Sequence, residues 1–151
     1  MIINSIMATF HHLFAFTVTT CIIYELVAYR QGLTVEEARR IQRVDLAYGI
    51  SAGLLILVGL LRVFYFEKGA GFYIQNPVYW TKMGLFVIVG LLSIYPTVRF
   101  IKWNAILKED KAPEIREDEY KRIRLLLWLE GAGIVLILFA APMVARGIGL
   151  N

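Results

Sequence analysis

The sequence predicts an all-α integral membrane protein folded as a four-helix bundle. Three observations predict it: 58% of the 151 residues are hydrophobic, the mean hydropathy is +0.62, and the apolar residues form long continuous runs. Ordinary soluble domains contain about 45–50% apolar residues, so a soluble fold is excluded. Continuous runs also exclude a membrane β-barrel, whose strands alternate between lipid-facing and lumen-facing residues.

Four runs are long enough to cross about 30 Å of hydrocarbon, which takes about 20 helical residues. They cover residues 5–29, 46–66, 79–101 and 125–145. Thr34 and Glu37 have the spacing of a capping box, which predicts that a short amphipathic helix over 35–44 leads into the second span. A helical segment over 114–124 is expected to lead into the fourth span. The chain is therefore predicted to be a single transmembrane domain, residues 1–151.

Positive charges cluster in the first and third connections between the spans. The first connection carries four arginines and the third carries seven lysines and arginines, whereas Lys68 is the only one in the second. The positive-inside rule places the first and third connections in the cytoplasm, with both termini and the second connection outside. The net charge of +4 thus reflects membrane topology and not nucleic-acid binding. We expect a multi-pass protein of the bacterial inner (cytoplasmic) membrane.

Ionisable side chains inside the predicted spans separate into two layers. Such groups cost free energy in a bilayer and often mark function. The outer layer holds His11, His12, Arg62 and Lys82, and the inner layer holds Glu25, Arg99 and Glu130, with Arg43 nearby. Two interpretations of the inner layer stay open: ion pairs that join its two glutamates to its two arginines, or a proton path that ends on a glutamate.

The outer layer carries an excess of positive charge. Glu67 is the only acid nearby in sequence, so a bound ligand with carboxylates would balance the charge. The alternative is that Arg62 and Lys82 extend to the outer lipid headgroups. At 100° per residue, His11 lies on the same helix face as Glu25 and is predicted to point into the bundle, whereas His12 points elsewhere.

The histidines suggest two kinds of cofactor site. Adjacent histidines cannot both face one centre, so the chain offers one axial ligand to haem b, with Arg62 and Lys82 beside the propionates. Alternatively, Met7 and His11 lie one helical turn apart and Met143 lies at a similar depth, a donor set that suits Cu(I). His12 replaces His11 in either site if the helix is interrupted. The sequence contains no nucleotide-binding, zinc-protease or covalent-haem motif.

The chain also resembles known families in its early span-one histidine, in the segment RVDLAYGISAGLLILVGLLRVFYFEKGAGFYIQNPVYWTKMGL, and in RLLLWLEGAG at the start of the last span. Over nearly its whole length it resembles a bacterial four-helix membrane family of unknown function. More distantly it is similar to HemJ-type protoporphyrinogen IX oxidases and to membrane domains of copper-resistance proteins. The corresponding residues are His11 or His12, Arg43, Trp80 with Lys82, and Glu130.

The resemblance to the oxidases implies an oxidoreductase that binds haem b, oxidises a porphyrinogen and passes electrons to quinone. It implies a histidine ligand to iron, Trp80 and Lys82 beside the porphyrin, and catalytic roles for Lys82 and Glu130. Two other functions stay open: a copper or small-solute carrier, and a structural or assembly protein without a cofactor. A homodimer is a further expectation, because four helices leave much lipid-facing surface.

Overall fold

The computed structural model describes residues 2–66 and 68–150 and is helical through most of them. Within those two ranges there is no strand. Four long helices dominate: α1 (Ile2–Ala28), α2 (Val35–Leu61), α4 (Pro77–Lys102) and α6 (Glu117–Ala145). A π-helical turn, Arg62–Phe66, prolongs α2, and two short helices, α3 (Ala70–Ile74) and α5 (Asn104–Leu107), lie in the connections.

The four long helices are each long and apolar enough to cross a membrane, which confirms the predicted fold class. The end that carries both chain termini and the α2–α4 connection is called the outer end here, and the opposite end the inner end. These names follow the orientation predicted from the charges, which stays a prediction. The protein is thus a multi-pass helical membrane protein.

The connection before α2 folds as its sequence predicts. The Thr34 hydroxyl accepts a hydrogen bond from the backbone N–H of Glu37 (3.2 Å), and the Glu37 carboxylate accepts one from the Thr34 N–H (2.8 Å). This capping box is the predicted one, and it satisfies two N–H groups that the first helical turn leaves unbonded. The amphipathic segment 35–44 then continues into the second span without a break. The corresponding segment before the fourth span begins at residue 117 rather than 114.

The long helices form a closed ring of four. α1 packs along α2, α4 packs along α6, and contacts between α1 and α6 and between α2 and α4 join the two pairs. Gly133 on α6 permits the close α4 contact, because its missing side chain leaves room for Val89. The larger cluster of buried side chains fills the inner half of the ring, and a smaller one lies at the outer end around Tyr73, Tyr79 and Val144.

Candidate functional site

His11 lies on the inward face of α1, near the outer end, and its ring packs over Gly59 of α2. A Cβ placed on Gly59 would lie 3.3 Å from Cε1 and 3.6 Å from Nδ1 of the imidazole, so only glycine leaves this space free. Nδ1 is buried and has no hydrogen-bond partner within the described residues. A buried ring nitrogen without a partner is uncommon, because burial without a hydrogen bond costs free energy. His11 therefore has a vacant donor or acceptor position inside the bundle.

Two cationic side chains lie close enough to His11 to act on it electrostatically, Lys82 from α4 and Arg62 from the π-helical turn. They also act on each other. Among residues 2–66 and 68–150, no carboxylate forms an ion pair with Lys82. The structure thus brings three of the predicted outer-layer residues together, whereas Glu67 lies outside the described residues. π-helical turns occur often at functional sites, and here the turn begins at Arg62.

Other predicted site residues lie away from this group. His12 is exposed on the bundle surface, with its ring at a steep angle to that of His11, as the helical phase predicts. Trp80 is 56% exposed, and its indole N–H donates to the carbonyl of Ile74. Met143, the predicted soft-metal ligand, is 40% exposed. Within the described part of the chain, no three His, Cys, Asp or Glu side chains converge on a metal-sized position.

Glu130 belongs to a separate polar group at the inner side of the bundle. The Tyr48 hydroxyl donates to Glu130 Oε2 across 3.3 Å, joining α2 to α6. The Thr97 hydroxyl donates to Asp45 Oδ1 across 2.7 Å, joining α4 to α2. Glu25 on α1 completes the group, since both other carboxylates act on it electrostatically. We call Glu25, Asp45 and Glu130 the inner acidic group.

The ion pairs predicted for the inner layer do not form. Arg99 instead forms a bidentate ion pair with Glu119, which lies about two turns before the apolar part of α6. Arg43 is exposed on α2. The physical reason is the length of α6, which begins at Glu117, before the predicted span, and so presents Glu119 to Arg99. The glutamates of the inner acidic group are left without a basic partner in residues 2–66 and 68–150.

A cavity of about 320 Å³ lies among the four long helices, between the two polar groups. Its wall is mostly apolar, with side chains such as Val18, Phe86 and Ile134, and it includes the hydroxyl-bearing Tyr48, Ser93 and Thr97. Ligand-binding pockets typically measure about 300–1,000 Å³ and combine apolar walls with a few polar groups. By helical rise, Phe86 lies about 6 Å further in than Lys82. On α1 and α2 the nearest residues of its wall, Val18 and Ala52, lie about 10 Å further in than His11 and Gly59, so the cavity begins one to two helical turns inward of the His11 group.

Sequence reasoning missed three features of these groups: the role of Gly59, the Asp45–Thr97 bond and the Arg99–Glu119 pair. One signal was present, because Asp45 and Tyr48 are three residues apart and so lie on one helix face. Nothing local in the sequence points to Gly59, which matters only because the ring of His11 lies opposite. Lys82 and Glu130, to which the resemblance assigns catalytic roles, belong to different polar groups. Ser93, which lies beside Tyr48, is about 16 Å along α4 from Lys82.

A family model described as a predicted membrane protein of the DUF2214 group matches residues 3–149. No curated protein and no solved structure matches the chain.

Proposed function

The chain belongs to the DUF2214 family of predicted membrane proteins, and from this premise we propose that it is a membrane redox protein that binds haem b. The observation that carries the proposal is the inward-facing imidazole of His11, whose Nδ1 is buried and unbonded and which lies within electrostatic range of the ammonium group of Lys82. A neutral imidazole is a common axial ligand of haem iron. The propionates of haem are carboxylates, which pair with ammonium and guanidinium groups.

The residues present suit haem in three respects. His11 would ligate the iron, while Lys82 and Arg62 would pair with the propionates at the outer end. The largely apolar cavity that lies one to two helical turns further in suits the edge of a macrocycle, and its volume is at the lower end of the range for ligand sites. When bound, haem b supplies reversible one-electron chemistry. The chain itself would supply the axial histidine, the positive charges that balance the propionates, and an environment that excludes water.

Porphyrinogen oxidation with quinone as electron acceptor is the finer form of this proposal. A porphyrin carries the same carboxylates as haem, so the cationic group offers it the same contacts. The proposal uses Lys82 to bind those carboxylates. It does not combine Lys82 with Glu130 on one reacting centre, because about 16 Å of helix separates their two groups.

The absorption spectrum of the detergent-purified protein tests the proposal. We expect a Soret band, α and β bands after reduction with dithionite, and a positive pyridine haemochrome assay. The matched variants are His11→Ala and His12→Ala, which remove adjacent side chains of the same type from the inward and outward faces of α1. Haem should be lost from the first variant and kept in the second.

Three outcomes would count against it. A wild-type protein that contains no haem after expression with added haem precursor contradicts the proposal outright. Equal haem content in both histidine variants contradicts the assignment of His11. An iron-free porphyrin, recognised by its fluorescence and by the absence of reducible bands, would contradict haem ligation while supporting a porphyrin as the ligand of the cationic group.

A further inference from the structure

The inner acidic group gathers three carboxylic acids in the interior of the bundle. Glu25, Asp45 and Glu130 come from three different helices and are 2%, 6% and 1% exposed, respectively. Oε1 of both glutamates is buried and has no hydrogen-bond partner within the described residues. Unbonded polar atoms at this depth are rare in folded proteins, because each loses its hydration without replacement.

No positive side chain balances this group within residues 2–66 and 68–150. Two other titratable side chains face it, Cys21 from α1 and Tyr48 from α2, and neither of them can carry a positive charge. From α4 the group is faced by the hydroxyls of Ser93 and Thr97. The nearest arginine of α4, Arg99, is held by Glu119. Burying several carboxylate charges together in a low-dielectric interior costs several kcal/mol for each charge. The group therefore needs a cationic ligand or bound protons.

The arrangement of the acids favours protons over a metal ion. Asp45 and Glu130 accept from different hydroxyls, Thr97 and Tyr48, which lie on different helices. Asp45 and Glu130 are thus held by separate donors on different helices rather than turned toward one shared point. Among the described residues no metal-sized cluster of acids occurs. A proton needs only one carboxylate oxygen and a neighbouring hydroxyl, and both are present.

The same hydroxyls connect the acids to the central cavity. Tyr48 and Thr97 line the cavity, and each bonds directly to one acid of the group. Ser93 lies within hydrogen-bonding reach of Tyr48 and lines the cavity as well. A single hydroxyl therefore separates the cavity from Asp45 and from Glu130. Acid and hydroxyl chains of this kind inside membrane spans mark proton relays in pumps and transporters.

We propose that Glu25, Asp45 and Glu130 bind and exchange protons inside the membrane and that Thr97 and Tyr48 connect Asp45 and Glu130 to the central cavity. Glu25 and Glu130 hold protons near neutral pH, since their unbonded Oε1 atoms have no other charge balance. A proton that leaves a reactant in the cavity reaches Asp45 or Glu130 through one hydroxyl, and Glu25 exchanges protons with these two acids. The proposal concerns the inner half of the bundle and stands apart from haem binding at the outer end.

Infrared difference spectroscopy of the purified protein in H₂O and D₂O tests this inference, because protonated and ionised carboxyl groups absorb at separate frequencies. We expect the wild-type protein to show a protonated-carboxyl C=O band near neutral pH that shifts to lower frequency in D₂O. Part of the band should be lost in Glu25→Gln and another part in Glu130→Gln. The matched control is Glu119→Gln, which alters a buried acid that has its own arginine partner and should leave the band unchanged.

The measurement on the wild-type protein does not depend on whether a variant folds. No protonated-carboxyl band near neutral pH overturns the inference, and so does a band that survives intact in both glutamine variants. Loss of the band on adding Na⁺, K⁺ or Mg²⁺ at constant pH would replace the proton with a metal cation and overturns it as well. Failure to exchange in D₂O contradicts the connection to the cavity.

Discussion

The imidazole of His11 on α1 packs over Gly59 on α2, where a Cβ would lie 3.3 Å from the ring carbon Cε1. At that distance the ring must move by a few tenths of an ångström to admit even an alanine. Gly53 lies on the same helix, and nothing lies within 4 Å of the Cβ position there. Alanine favours a helix over glycine by about 1 kcal/mol at either position. Comparing substitutions at Gly59 and Gly53 therefore separates the effect of displacing the His11 ring from this general gain in stability.

We expect Gly59→Leu to displace the His11 ring and lower haem content, and Gly59→Ala to do so in part. Overfilling a packed site costs about 1–3 kcal/mol, whereas Gly53→Ala should leave stability unchanged or raise it. The Soret absorbance per protein and the thermal unfolding midpoint in detergent measure the two effects. Equal haem content in Gly59→Leu and the wild-type protein would show that the position of the ring is irrelevant to ligand binding.

The contact between Gly133 on α6 and Val89 on α4 gives a second prediction. A Cβ on Gly133 would overlap Val89 Cγ2, so Gly133→Ala should destabilise the α4–α6 pair by about 1–3 kcal/mol. Gly84→Ala on α4, where the Cβ position is open, is the control. Adding Val89→Ala to Gly133→Ala should recover part of the loss, because contacting residues are not additive. Denaturant titration of the wild-type protein, Gly133→Ala, Val89→Ala, the double variant and the Gly84→Ala control measures this, and strict additivity would contradict the packing.

The ion pair between Arg99 and Glu119 should matter far more than exposed pairs elsewhere. Glu119 is buried, so Arg99→Met leaves a buried carboxylate without a partner, and we expect a loss of about 3 kcal/mol. Arg40 pairs with Glu36 one turn away on the exposed face of α2, and Arg40→Met should leave the free energy of unfolding nearly unchanged, because solvent screens exposed charge pairs. Free energies of unfolding compare the two. Equal losses would mean that the buried pair is not formed in the membrane protein.

Because Tyr48 donates a hydrogen bond to Glu130, we expect removal of its hydroxyl alone to lower stability. Tyr48→Phe removes the only donor described for Glu130, which should lower the free energy of unfolding by about 1–3 kcal/mol. Tyr65→Phe changes an exposed residue at the outer end and should be close to neutral. The infrared band of the Glu130 carboxyl should also shift in Tyr48→Phe. An unchanged stability and spectrum would indicate that this bond is absent.

The orientation of the bundle is open to a direct test by cysteine labelling. Cys21, the single cysteine of the chain, is buried and should not react. Gly71→Cys, in the outer connection, should react with a membrane-impermeant maleimide on intact cells. Lys108→Cys, in the third connection, should react only after the membrane is permeabilised. The opposite labelling pattern would invert the predicted topology without affecting the fold.

Local features of the sequence were sufficient for the four spans and for the inward direction of His11. The length of an apolar run decides whether a helix can cross the hydrocarbon, and the 100° rotation per residue separates His11 from His12. The capping box at Thr34 and Glu37 was likewise predictable, since its two hydrogen bonds join residues three apart. Each of these features depends on neighbours in the chain.

Only the tertiary structure decided which buried groups meet. Asp45 and Thr97 are 52 positions apart, and their bond depends on how α2 and α4 are rotated about their axes. Arg99 pairs with Glu119 and not with Glu130 because the axial offset of α4 and α6 places Glu119 beside it, and Glu130 lies about 16 Å further along α6. The packing of whole helices sets how each helix is rotated, how far it is shifted along its axis and how closely glycines let it approach a neighbour. The periodicity of a single helix does not determine these three quantities.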